Sequence, residues 1–64
     1  MFVTQRNELA EAWGCKTVYL LNDSEKRTHT LQNEHGETLV VVTYDEMLKA
    51  DDVDGLYRPK APDA

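Results

Sequence analysis

A chain of 64 residues, 41% hydrophobic and 30% charged, has room for one domain with one small core, yet is too apolar to be disordered throughout. Its single cysteine, Cys15, excludes an internal disulfide and fits a reducing compartment. The net charge of −5 arises wholly in residues 33–64, where eight acids face three bases; such a surface repels phosphate and points to a basic partner rather than to direct nucleic-acid binding.

In chain order, Thr4 reads as an N-cap, and Leu9, Ala10 and Trp13 recur at helical spacing before Gly14, so Gln5–Trp13 is expected to be a short amphipathic helix ended by a left-handed glycine. Lys16–Asn22 is rich in β-formers and stops at the turn-forming Asn22-Asp23-Ser24. Lys26–Gln32 alternates weakly, with Thr28 and Thr30 on one side and His29 and Leu31 on the other, and ends at Asn33-Glu34-His35-Gly36. Glu37–Val42 carries the strongest strand pattern.

Immediately after it, Thr43-Tyr44-Asp45-Glu46 has the form of a capping box, in which the hydroxyl and the carboxylate each bond the other residue's backbone amide. A helix from Tyr44 to about Ala50 should follow, with Tyr44, Met47 and Leu48 on one face. Asp51–Gly55 reads as a turn, Leu56 and Tyr57 as a last apolar anchor, and residues 58–64 as a proline-containing frayed tail. The expectation is a single small α+β domain over residues 1–57, in α-β-β-β-α order, with a three-stranded, mainly antiparallel sheet and two short helices.

Two strands of that sheet are apolar on both faces. Val18 and Leu20 oppose Tyr19 and Leu21, and Val40 and Val42 oppose Leu39 and Val41. Two helices on one side would leave the other face bare, which soluble monomers seldom tolerate. In a simple meander, moreover, the central strand would be the most polar one, Lys26–Gln32. Either that strand lies at an edge or another chain covers the second face; Tyr19, Leu21, Leu39 and Val41 are the candidate self-association residues, and a homodimer is the simplest form of the cover.

Candidate chemistry is sparse. Cys15 with His29 or His35 has the residue types of a thiolate and its base, but no orienting third group or glycine-rich turn accompanies Cys15, and a small buried cysteine beginning a strand accounts for it equally. Asp52-x-Asp54-Gly55 resembles the middle of a calcium loop, yet the first and last ligand positions would fall on Ala50 and Ala61, neither of which can coordinate. No metal or other cofactor is therefore expected, and no catalytic residues are assigned. The acidic positions Asp45, Glu46, Asp51, Asp52 and Asp54 have two readings: helix-end and turn residues in solvent, or a surface that docks on arginines and lysines of a partner and imitates nucleic-acid phosphates.

The string GETLVVVTYDEML at Gly36–Leu48 resembles the strand-to-helix junction of prevent-host-death-type antitoxins, where a Gly-Glu turn leads an apolar strand into a capped helix. The resemblance spans 13 residues and implies toxin neutralisation; Lys16–Asn22 departs from it, being strand-rich where that family has a helix. Residues 1–11 lack the apolar core of a signal peptide and the longest apolar run, Leu39–Val42, cannot span a bilayer. The sequence thus reads as a cytoplasmic, non-enzymatic interaction module of the kind phages and mobile elements encode, an inhibitor or modulator that binds a basic surface of a larger host protein. The alternatives are a homo-oligomeric assembly subunit and an antitoxin-like neutraliser.

Overall fold

The computed structural model describes residues 2–59. Seven elements follow in order: β1 (Phe2–Gln5), α1 (Asn7–Trp13), β2 (Val18–Asp23), β3 (Thr28–Asn33), β4 (Thr38–Thr43), α2 (Tyr44–Lys49) and α3 (Val53–Leu56). The strands form one four-stranded antiparallel sheet in the order β1-β2-β3-β4. The α+β class, the antiparallel sheet and the short helices are as expected from the sequence. The strand count and the element order are not.

The extra strand is β1. Thr4 is no N-cap: it lies in an extended segment whose residues pair Phe2 with Asn22, Val3 with Leu21, Thr4 with Leu20 and Gln5 with Tyr19. Helix α1 begins only at Asn7, and its N-cap position, Arg6, makes no side-chain cap, so nothing local marks the start. Its end is as read, with Gly14 at φ 69° and Cys15 N–H bonding back to the Ala10 carbonyl at 2.9 Å, a closure that favours glycine because other residues are strained there. Since β1 occupies one edge and β4 the other, the polar strand β3 is interior, and an edge position for it is excluded.

The second difference concerns residues 51–55. Instead of a plain turn, Val53–Leu56 makes a helical turn, held from outside by an ion pair between Asp54 and Arg6 at 3.2 Å. That places Leu56 against the core and buries Tyr57. Helix α2 starts where the capping box puts it: Glu46 N–H donates to Thr43 Oγ1 at 3.1 Å and Thr43 N–H to Glu46 Oε1 at 3.2 Å.

The core is Leu9 and Ala10 of α1, Val18, Leu31 and Val42 of the sheet, and Tyr57, all of them buried. Half-buried Trp13, Cys15, Leu20, Leu39, Val40, Met47 and Leu56 pack around it. Register explains why these strand positions belong together: Leu20, Leu31 and Val40 are cross-strand neighbours, as are Asn22, His29 and Val42. Neighbours in register share a face of the pleat. All three helices contribute to this one face, leaving a two-layer molecule about 16 Å across its shortest dimension. Residues 60–64, most of the expected tail, lie outside the described residues.

Candidate functional site

Two surfaces come out of this arrangement, and chemistry separates them. Beneath the helices, the inner sheet face carries a polar knot built on His29. Its ring stacks on Tyr57 at 6.2 Å between centroids and meets Tyr44 edge-on at 5.5 Å, while its Nδ1 bonds the Tyr57 hydroxyl at 2.8 Å. The Tyr57 hydroxyl also reaches Met47 Sδ at 3.2 Å, and Tyr44 donates to Asn22 Oδ1. Burial pushes the imidazole below its ordinary pKa and the Tyr57 phenol above its own, because each resists its charged form in a poorly hydrated setting. His29 is thus a neutral structural group joining β3 to α2 and to the residues after α3.

The other groups considered for chemistry are held apart by separate partners. Cys15 is half-buried in the loop before β2 and donates to the Trp13 carbonyl at 3.5 Å. His35, exposed in the β3–β4 turn, lies 3.6 Å from the Glu34 carboxylate. Asp52 precedes and Asp54 lies within a helical turn rather than a coordination loop, and among the described residues no cluster of three or more His, Cys, Asp or Glu is placed to hold a metal ion.

The acidic positions are all exposed but are not equivalent. Glu46 is used by the capping box. Asp54 joins Glu8 on the Arg6 guanidinium, which raises the arginine's pKa and holds the Glu8 carboxyl below the usual range. Asp45, Asp51 and Asp52 accept no side-chain hydrogen bond or ion pair among the described residues and stand on the helical layer, at the start of α2 and between α2 and α3. Glu46 and Asp54 therefore have partners within this fold, while the other three carboxylates face solvent without one among the described residues.

Among the described residues no element covers the opposite face of the sheet. Register runs Val3, Leu21, Thr30 and Val41 side by side across all four strands, an apolar row broken by one threonine. The parallel row is Gln5, Tyr19, Gln32 and Thr38, and the third holds Asp23, Thr28 and Thr43. Val3 is 54% exposed and Val41 51% exposed, while Tyr19, Leu21 and Thr30 are half-buried by their own neighbours. Among the described strand residues of these rows Asp23 is the one that is charged, and its Oδ1 is turned into the β2–β3 turn, accepting from the Glu25 and Lys26 amides at 3.1 and 3.2 Å.

Of the four self-association candidates, Tyr19, Leu21 and Val41 meet on this face. Leu39 does not join them. The register shift between Leu31 and Gln32 pairs Leu31 with Val40 but Gln32 with Thr38, so Leu39 is the extra residue of a bulge and packs against the core side. Such a bulge re-aims side chains that strict alternation would send the other way. Val3 and Thr30, which sequence reasoning did not select, complete the row. The β-forming Phe2-Val3-Thr4 was the available signal for the first, and only cross-strand register could find the second.

An open groove beside β4, walled by Trp13, Leu39, Val40, Leu56, Arg58 and Pro59, marks where the helical layer ends. Among the described residues no helix is long and apolar enough to cross a membrane. No protein-family model, curated protein or solved structure matches the chain. The likeness at Gly36–Leu48 consequently rests on those thirteen residues, which form β4 and the capped start of α2.

Proposed function

We propose that this chain is a non-enzymatic protein-interaction module with two cooperating surfaces. The outer sheet face, centred on Leu21, Thr30 and Val41, supplies apolar area to be buried, and the unpaired carboxylates Asp45, Asp51 and Asp52 on the helical layer select a basic surface of a larger protein, whose activity the module modulates. The observation that carries this reading is the uncovered apolar row across four strands. A half-exposed valine at each end of a continuous row costs hydration that a binding partner would recover at about 25 cal/mol per Å². The two surfaces lie on opposite sides of the sheet, so they serve separate contacts, the apolar row giving buried area and the carboxylates giving encounter rate and selection.

Affinity purification with quantitative mass spectrometry tests it, comparing the wild-type chain with Val41→Lys and with the triple variant Asp45→Asn, Asp51→Asn, Asp52→Asn. A larger basic protein should be enriched by the wild type, lost with Val41→Lys and retained less well, with a shallower salt dependence, by the triple variant. Equal recovery by all three chains would contradict the reading.

A further inference from the structure

We infer that the occupant of the outer sheet face is a second copy of this chain, packed sheet on sheet; this rests on the reading of that face as an interface. Charge is the first argument. A face that meets its own twofold copy sets residue i against j and j against i, so a face dense in one sign of charge opposes itself. This chain carries 30% charged residues and a net charge of −5, yet among the described strand residues on this face only Asp23 is charged, with one carboxylate oxygen bonded within its turn. A basic partner would find a single carboxylate there, at the turn end of the face, and a second copy meets no more than that one charge. The threonines and glutamines flanking the apolar row can both donate and accept, so they can hydrogen-bond one another across such an interface in either role.

Area is the second argument. The four strands, one of four residues and three of six, about 4.8 Å apart with a rise of about 3.3 Å per residue, give a sheet face of about 350 Å². Two such faces remove about 700 Å² from water, short of the ~1,000 Å² expected of a stable specific interface and in the range of a weak, transient one. Sheets packed this way sit about 10 Å apart with strands roughly aligned. The helical layers then lie outermost, and Asp45, Asp51 and Asp52 of both copies remain in solvent for a basic partner. An interface at the lower end of the size range should dissociate on dilution.

Sedimentation velocity of the full chain over about 1 to 500 μM tests this, with circular dichroism confirming the fold of each variant. The expected result is a rise from monomer to twice the monomer mass with concentration, lost in Thr30→Lys and in Val41→Lys, and unchanged in Leu48→Lys, whose side chain is 80% exposed on α2. Should Thr30→Lys unfold, Val41→Lys carries the test from a position already half in water. A wild type that stays monomeric throughout, or a dimer indifferent to both face variants, would overturn the inference. Capture of the basic partner separates the two ideas. A monomer whose partner binding is still lost with Val41→Lys leaves the interaction reading standing without the dimer; a dimer that captures no basic protein leaves the dimer standing without that partner.

Discussion

The two faces of the sheet are made from the same strands and differ in what they hold. On the inner face Val18, Leu31 and Val42 are sealed beneath Leu9, Ala10 and Tyr57, and every polar side chain that enters, His29 and Tyr57 above all, finds a bond. On the outer face Leu21 and Val41 sit in a row that no element of the described residues covers. The inner face thus carries the fold's own stability, and the outer face is surplus to it. A domain of this size, with a stability of roughly 3 to 10 kcal/mol at about 0.05–0.15 kcal/mol per residue, leaves little margin on the inner side, so each loss there should be large and each loss outside small.

The sharpest contrast is between two leucines. Leu31→Ala empties a fully buried site and should cost about 2 to 5 kcal/mol, enough to unfold much of the population, whereas Leu21→Ala, measured below the concentration at which chains associate, should cost under about 1 kcal/mol. Urea midpoints of the two variants check this. Equal midpoints would show that the outer face also stabilises the single chain.

Tyr57→Phe sharpens the account of the inner face. It keeps the ring that stacks on His29 but removes the hydroxyl shared by His29 and Met47, and leaving the imidazole nitrogen unpartnered should cost about 1 to 3 kcal/mol. A midpoint equal to wild type would place water on His29 instead. Thr43→Ala comes next, at about 1 kcal/mol, because it takes from Glu46 N–H its side-chain acceptor at the start of α2. Helicity that falls without any change in midpoint would show α2 to be energetically separate from the sheet.

The smallest effect is a pH dependence. The folded state holds His29 below its ordinary pKa, so between the lowered and the ordinary value the unfolded chain binds more protons than the folded one. Stability is therefore full above the ordinary histidine value, declines as pH falls through it, and levels off below the lowered folded value. Thermal midpoints from pH 8 to about pH 5 should show the decline in the wild type and a flatter profile in His29→Phe; parallel profiles would assign the decline to other groups.

How much of this was readable beforehand depends on how far along the chain each cause lies. The capping box was legible because Thr43 and Glu46 are three residues apart and satisfy each other. Gly14 was legible for the same reason. Strand β1 was not, since four residues give too short a pattern to compete with a plausible helix cap, and what makes them a strand is pairing with Tyr19–Asn22. Helix α3 was missed because Asp51-Asp52-Val53-Asp54-Gly55 has turn composition, and the Arg6 ion pair and the burial of Tyr57 override it from elsewhere in the fold. At the candidate site the surplus apolar face could be inferred from alternation alone, but its membership could not. Leu39 left it through a bulge, and Val3 and Thr30 entered it through register.

Neighbouring residues of β4 test the division of labour most directly. Val41 points outward and is 51% exposed, while Val42 points inward and is 2% exposed. Lysine at each position, followed by circular dichroism and sedimentation on the same samples, should give a folded, monomeric chain for Val41→Lys and an unfolded one for Val42→Lys. A Val41→Lys chain that unfolds, or that associates as the wild type does, would contradict the claim that one face builds the protein and the other binds.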